Sequence, residues 1–328
     1  MKDLNVSIIV PVLNGEKYIE DAIKSAQNQS YKDYEMIVID GSSTDRTLSI
    51  VNRLAKQDKR ITVVNQPKPG LAAAQNYGVS LAKGEFIAFL EADDLWHPDK
   101  LMLQLECLRS NPKIGLASCY SVVINENGYL MGWQLGVNVN GMVYEKVIER
   151  NPISTCSIPM IRCKYLQEIG LFDEQVRYVD DAEMWIRFAK KFPIATIPKA
   201  LVGYRRWTSN RSKDYKGMIL DGESVLNRVF ENDPNLNKRF YNFCISRNAS
   251  TITGMCIIDG EYKEAKEHLM YSLSKSKTAL FSDFRMLGIA FLVILSNILP
   301  VIIFKNMISK LMLPMFFKTR TGKKFIDL

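Results

Sequence analysis

Gly84-Glu-Phe-Ile-Ala-Phe-Leu-Glu-Ala-Asp-Asp94 is the stretch that decides the fold. Residues 85–90 read as a buried strand, and that strand runs straight into the acids Glu91, Asp93 and Asp94. Carboxylates at the end of a buried run are costly unless water or a cation meets them. Toward the N-terminus, Val6-Ser-Ile-Ile-Val10 stops at Pro11, Glu35-Met-Ile-Val-Ile-Asp40 ends in an acid, and Ile61-Thr-Val-Val64 is a third β-branched run. Helical spacing fills the gaps: Tyr18, Ile19, Ala22, Ile23 and Ala26; then Leu48, Val51, Leu54 and Ala55; then a small-residue segment over 71–82, opened by Gly70. Strands alternating with helices of ~10–15 residues predict a parallel sheet covered by helices. Ligands of such sheets lie outside the carboxyl ends of the strands, where Asp40 and the 91–94 acids both fall.

The chain has 328 residues, enough for about two domains by the ~150-residue prior. Its 47% apolar and 24% charged residues exclude a largely disordered chain, a collagen-like repeat and a small disulfide-stapled scaffold. The net charge of +8 is uneven, because residues 305–328 hold six basic residues and one acid. A nearly neutral body with a basic, apolar tail points to a membrane surface rather than nucleic acid. The six cysteines form no C-x-x-C pair and there are only two histidines, which argues against structural zinc and for reduced thiols in a reducing compartment. No secretory leader is expected, since the apolar run of residues 6–13 is short and lacks a small-residue cleavage site.

No G-x-G-x-x-G follows the first strand and no G-x-x-x-x-G-K-[ST] is present, so neither a dinucleotide fingerprint nor a P-loop occupies these strand ends. Glu91 and Asp93 share one side of an extended segment and can face one hard divalent cation such as Mg²⁺ or Mn²⁺. The bland alternative is a solvated acidic turn. Asp40 can accept a hydrogen bond from a base N–H or a ribose hydroxyl, or simply cap the helix that starts near Asp45. Asp180-Asp181-Ala-Glu183 puts three acids at a helix start, where the dipole favours them, or supplies a general base. Residues 115–145 read as loop-like, including Trp133, and 194–204 as a short strand pair around Pro198. Residues from 212 to 278 turn helical, clearest over 262–273.

Taken together these segments resemble glycosyltransferase family 2, the inverting GT-A enzymes. The matching pieces are residues 6–14, 38–45, 70–76, 84–94, 170–174 and 180–187, in the family's order, within residues 4–212. The resemblance implies a GT-A fold, a Rossmann-like mixed sheet with helices on both faces, over residues 1–212. A helical region over 213–284 and an apolar, basic tail over 285–328 follow. It implies a nucleotide-sugar donor, UDP-linked in most members, with Pro11, Leu13 and Glu16 beside the nucleotide and Asp40 reading uracil or ribose. Gly70, Gln75 and Ala92 fall on donor-side positions. Glu91 and Asp93 stand at the ends of the family's D-x-D, with Asp93 binding Mn²⁺ or Mg²⁺. Asp181 matches the family's base, and Asp180 lies beside it. Three departures stand out. Glu91 replaces an Asp, Gln75 stands where many members have Arg, and Trp207 in Tyr204-Arg-Arg-Trp207 replaces a His. Arg205, Arg206 and Arg211 are the cations that can compensate near the leaving group or acceptor.

The expected activity is transfer of a sugar to a hydroxyl of a glycan or lipid-linked acceptor in bacterial surface polysaccharide synthesis. Transfer to a polyprenyl phosphate and a non-catalytic nucleotide-sugar binding module are the rivals. Residues 286–304 hold 19 residues without a charge but contain Asn297 and Pro300, so peripheral or monotopic attachment at the cytosolic membrane face is expected rather than a full crossing. A homo-oligomer is compatible with this reading; nucleic acid is not an expected partner.

Overall fold

The computed structural model describes residues 5–207, 213–281, 287, 288, 290, 291, 293, 295 and 323–327. The four expected strands form as β1 (Val6–Val12), β2 (Tyr34–Asp40), β3 (Ile61–Asn65) and β4 (Phe86–Phe89), in the parallel order β3-β2-β1-β4. Three helices cross between them: α1 (Ile19–Gln27), α2 (Thr47–Gln57) and α3 (Leu71–Leu81). β1 and β4 are buried at every position, which is why they read as apolar runs broken only by Ser7. α3 comes close to the sheet because Gly78 has no side chain; a Cβ there would meet Ile9 at 2.4 Å and Ile39 at 2.9 Å. Val12 pairs with Asp40, so the acid of β2 stands level with the end of β1.

Beyond β4 the sheet becomes mixed. β5 (Leu95–Trp96) follows the acidic turn, and α4 (Lys100–Ser110) leads to β6 (Leu116–Ile124) and β7 (Leu130–Leu135). After β8 (Asn140–Gly141) and α5 (Tyr144–Glu149), β9 (Met160–Arg162) inserts antiparallel between β4 and β6. α6 (Cys163–Ile169) and α7 (Asp180–Lys191) precede β10 (Ile194–Arg205), which runs parallel to β6 and antiparallel to β5. α8 (Tyr215–Glu231), α9 (Lys238–Asp259), α10 (Tyr262–Lys275) and α11 (Lys277–Phe281) complete the helical part. Val225 and Leu226 of α8 and Cys244 and Ile245 of α9 belong to the same apolar core as the sheet.

Two sequence expectations are corrected here. Residues 115–145 are not loop-like: β6 and β7 make a hairpin whose turn is held by Asn125 Oδ1, which accepts from the N–H groups of Asn127 and Tyr129 at 3.0 Å each. β6 was hard to read because Ala117, Ser118, Cys119 and Ser121 are small residues in a strand buried everywhere but at Tyr120, with no period-2 alternation. The pair expected around Pro198 is one strand, β10. Its partner register jumps from Ile197–Cys119 to Ala200–Tyr120, so Pro198 and Lys199 bulge out of the ladder. Proline lacks the N–H that a ladder position needs.

All six cysteines are free thiols. The apolar runs at 286–304 and 311–317 fall largely outside the described residues; among the described residues no helix is long and apolar enough to cross a membrane. Farther on, Phe325 is fully buried with Leu95, Val122, Ile124 and Leu130, and its N–H donates to the Gly128 carbonyl at 3.0 Å.

Candidate active site

The carboxyl ends of β1 and β2 carry two linked turns. Asn14 and Ser42 take left-handed φ values of 51° and 67°, a conformation that costs energy in non-glycine residues and gathers at functional sites. Asn14 Oδ1 accepts from Thr44 N–H at 2.8 Å, and Asn14 N–H donates to Ser43 Oγ at 2.9 Å, so each turn fixes the other. Asp45 and not Asp40 serves the helix start: its Oδ1 accepts from the N–H of Thr47, the first residue of α2, at 2.9 Å. Asp40 is buried; its Oδ2 accepts from Ser43 N–H at 3.1 Å, while its Oδ1 has no protein partner. A buried carboxylate oxygen without a donor is expensive and suits a ligand N–H or O–H. Leu13 lies alongside at 63% exposure, an apolar surface that nothing in the described structure covers. Pro11 is buried within β1, and Glu16 turns away to pair with Arg46 at 3.0 Å.

The acidic turn after β4 is the second part. One carboxylate oxygen from each of Glu91, Asp93 and Asp94 can be chosen so that all lie within 4.8 Å of one another. Hydroxyls and N–H groups hold the turn in place. Thr155 Oγ1 donates to Glu91 Oε2 at 2.7 Å, Glu91 N–H donates to Ser157 Oγ at 2.9 Å, and Arg205 N–H donates to Asp94 Oδ1 at 3.0 Å. Burial pushes the Asp94 carboxyl well above the ordinary range, and the negative charges of Glu91 and Asp93 add to this. Asp93 is also raised by burial, against the opposing pull of the Trp207 hydrogen bond and of Arg205 and Arg206. An all-oxygen donor set that crowds like charges in this way is relieved by a hard divalent cation, so these residues fit one. Sequence reasoning named Asp93 for the metal and Glu91 for the donor side; Asp94, Thr155 and Ser157 were missed. The signal for the last two was the hydroxyl-rich run between the buried Ile153 and Ile158.

Trp207 replaces the expected histidine with a group that cannot ligate. Its indole N–H donates to Asp93 Oδ2 at 2.8 Å, and its ring meets Tyr18 edge-on at 5.4 Å between centroids. Arg205 is 1% exposed, with its guanidinium donating to the carbonyls of Asp93 at 2.7 Å and Glu126 at 2.6 Å. It braces the acidic turn from behind and is not placed to meet an acceptor. Gln75 is buried and donates to Cys156 Sγ at 3.3 Å, one layer behind the cavity wall. Gly70, at φ 115°, opens α3, and its carbonyl accepts from Gln66 Nε2 at 2.7 Å. Ala92 sits half-buried in the turn, and Arg211 lies outside the described residues.

The third part is the start of α7. A cavity of about 230 Å³ is lined at once by Glu91 from the acidic turn and by Asp180, Asp181, Cys156, Arg206 and Thr155. Cys156 sits among these acids: burial first, then the charges of Asp181, Glu91 and Asp180, push its thiol far up. Asp93 and Asp40 do not line this cavity; Asp93 adjoins it through the Glu91 cluster, and Asp40 lies two strands away across the sheet. Asp221 of α8 accepts from the N–H groups of Arg177 at 2.8 Å and Tyr178 at 2.7 Å, so α8 fixes the loop that leads into Asp180 and Asp181.

Arg206 reaches the cavity with its charge matched from the helical part. It pairs with Asp259 at the end of α9, and both side chains are 5% exposed. The Tyr215 hydroxyl donates to the same carboxylate. Removing one member of a buried pair leaves an uncompensated charge at a cost of roughly 3–5 kcal/mol. Asp259→Ala is therefore expected to lower the unfolding free energy by about that amount in a urea titration, with Arg206→Met/Asp259→Ala recovering most of it. A loss below about 1 kcal/mol for the single variant would contradict this assignment.

The family model for glycosyl transferase family 2 matches residues 7–170. A Rickettsia felis protein named only as an uncharacterized glycosyltransferase is 31% identical over 290 residues, covering 86% of this chain and 46% of that protein. The putative teichuronic acid biosynthesis glycosyltransferase TuaG of Bacillus subtilis is 32% identical over 209 residues, 61% of this chain and 78% of TuaG. Across three Rickettsia relatives the chain spans only 46%, 43% and 34% of their lengths. Among solved structures, S. aureus TarS 1-349 in complex with UDP-GlcNAc matches with TM-score 0.54 at 16% identity, over 84% of this chain and 92% of that one. Mannosyltransferase PcManGT from Pyrobaculum calidifontis, in complex with GDP-Man and Mn²⁺, matches with TM-score 0.56 at 19% identity, over 90% and 87%. At such identities the structures speak for the fold alone. The mixed α/β sheet with its helices has the GT-A fold of these structures. The chain belongs to glycosyl transferase family 2.

Proposed function

We propose that the protein is a metal-dependent, inverting glycosyltransferase that takes a UDP-linked sugar and glycosylates a hydroxyl of a surface-glycan precursor. The observation that carries this reading is the single cavity lined by both Glu91 and Asp181, with Cys156 between them. The nucleotide lies over the ends of β1 and β2, where the unpartnered Oδ1 of Asp40 takes an N–H of the base or a ribose hydroxyl and Leu13 packs against the ring. Glu91, Asp93 and Asp94 would hold Mn²⁺ or Mg²⁺, which when bound supplies positive charge to the leaving diphosphate. Asp181 accepts the acceptor's hydroxyl proton. The freed oxygen bonds to the anomeric carbon as the bond from that carbon to the diphosphate oxygen breaks, and UDP leaves with the electron pair. One displacement inverts the anomeric centre. Burial keeps the Cys156 thiol protonated, so this thiol is not the nucleophile of a covalent intermediate. TuaG's printed role in teichuronic acid biosynthesis and the nucleotide sugars bound to TarS and PcManGT support the substrate class. Attachment of the 285–328 tail to the cytosolic membrane face belongs to the same proposal.

The test is a panel of nucleotide sugars with Mn²⁺, read by thermal shift and then by UDP release. A ligand at 100 times its Kd stabilises the native state by about 2.7 kcal/mol, so the right donor stands out. Asp93→Asn is expected to raise the half-saturating Mn²⁺ concentration roughly tenfold or more. No stabilisation by any nucleotide sugar, or unchanged Mn²⁺ dependence in Asp93→Asn, would overturn the reading.

A further inference from the structure

The cavity has a wall that the sheet does not supply. Besides Glu91 and Asp181, its lining holds Met218 of α8, Asn248, Thr251 and Met255 of α9, and the aromatic Tyr178 and Tyr204. From this juxtaposition we infer that α8 and α9 form the acceptor subsite and that it takes one terminal sugar ring. The inference rests on the transferase reading above and names its acceptor class.

Three observations carry it. The first is position. The unpartnered carboxylate oxygen of Asp40 and the exposed Leu13 lie at the β1–β2 ends and do not line this cavity, whereas α8 and α9 supply part of its lining together with Asp181. A hydroxyl bound against α9 shares the cavity with both Asp181 and Glu91. The second is size. About 230 Å³ is below the roughly 300–1,000 Å³ of a drug-sized site, too small for a run of acceptor rings. The third is chemistry. Tyrosine faces and methionine side chains suit the C–H face of a pyranose, while the Asn248 amide and the Thr251 hydroxyl suit its hydroxyl edge. A polyprenyl phosphate asks for a cation to match its phosphate and an extended apolar channel. Of the two arginines that line the cavity, Arg206 is charge-matched by Asp259 and Arg150 also has a partner, and polar groups interrupt the apolar wall.

The wall is also braced from the start of α8 and from the end of β10. The Tyr178 hydroxyl donates to Asp214 Oδ2 at 2.5 Å, and Arg206 Nη1 lies 3.3 Å from the Tyr204 hydroxyl oxygen, within hydrogen-bond reach. Both aromatic rings are thus set by contacts outside the catalytic acids, as a preformed subsite requires.

The experiment uses the full chain with UDP and Mn²⁺ and measures saturation-transfer NMR on a panel of methyl glycosides: hexosides, N-acetylhexosaminides and 6-deoxyhexosides. At least one glycoside is expected to give a signal in the wild type. Thr251→Trp, which fills the cavity from an exposed helix position, should weaken that binding at least tenfold. Thr251→Ser should keep it, and Met255→Ala should weaken it by a smaller factor. The UDP thermal shift should be the same in all four proteins, which shows that the variants are folded. Absence of any glycoside signal, binding of prenyl phosphate in its place, or full glycoside binding by Thr251→Trp would overturn the inference. Glycoside binding without any UDP shift would leave the sugar subsite standing and remove the donor reading instead.

Discussion

Asp181→Asn protein is expected to bind the donor as the wild type does while acceptor-dependent transfer falls by roughly 10²–10⁴-fold, the usual contribution of a positioned general base. Asn is isosteric and still fills the start of α7, but it cannot take a proton. The neighbouring carboxylate offers a built-in contrast. Asp180 is 2% exposed and faces the same cavity, whereas Asp181 is half-buried and opens more to solvent. The exposed member of the pair can exchange its proton with water after each turnover; the buried one is better suited to shaping the site. Asp180→Asn is therefore expected to act mainly on stability. Donor affinity comes from thermal shift and transfer from UDP release with and without acceptor. Equal turnover by Asp181→Asn and wild type would remove Asp181 from the base role, and a loss of donor binding in that variant would place it on the donor side instead.

The parts of the fold legible in the sequence are those where burial and periodicity speak together. β1, β2 and β4 are almost wholly buried, so they read as mainly apolar runs, and those of β2 and β4 lead into acids of the site. The acidic turn was legible because charge at the end of such a run needs a reason. What stayed hidden depends on groups distant in sequence that meet only in the fold. Asp221 and Asp259 look like ordinary helical acids, yet one accepts two backbone N–H groups ahead of Asp180 and the other pairs with Arg206 at the cavity. Arg205 and Arg206 are adjacent and chemically equal in the sequence. Only the alternation of β10 sends the first behind the acidic turn and the second to the cavity. Trp207 read as a loss of a metal ligand, whereas its indole N–H has become a hydrogen-bond donor to Asp93.

Lys100→Met is expected to stabilise the protein, by about 2 kcal/mol or more at pH 7. Lys100 is fully buried at the start of α4, where its ammonium donates to Gln104 Oε1 at 2.8 Å and lies 4.0 Å from the Trp96 ring centroid. Burial lowers its pKa from 10.5 to about 7. The sign follows from proton counts. Between about pH 7 and 10.5 the unfolded chain holds a proton on this lysine that the folded chain has released, so its contribution to stability rises with pH across that window. Below about pH 7 both states are protonated and the full cost of the buried charge is present, on the order of 5 kcal/mol for a shift of this size. Methionine keeps the length and apolar stem but leaves Gln104 Oε1 without its donor, which returns roughly 1–3 kcal/mol. The net gain is what remains. Urea midpoints at pH 6.5, 8 and 9.5 should show the variant's advantage shrinking as pH rises, with the other titrating groups cancelling in the difference. A variant less stable than wild type at pH 7, or an advantage that does not change with pH, would mean that the lysine is neutral or well compensated where it lies. Trp96, whose ring faces this ammonium, also donates its indole N–H to the Ser157 carbonyl at 2.9 Å, and Ser157 Oγ accepts from Glu91 N–H. The same substitution therefore reports on the layer directly beneath the acidic turn, and a stabilised variant with unaltered Mn²⁺ dependence would show that the turn is held by its own hydrogen bonds and not by the buried charge below it.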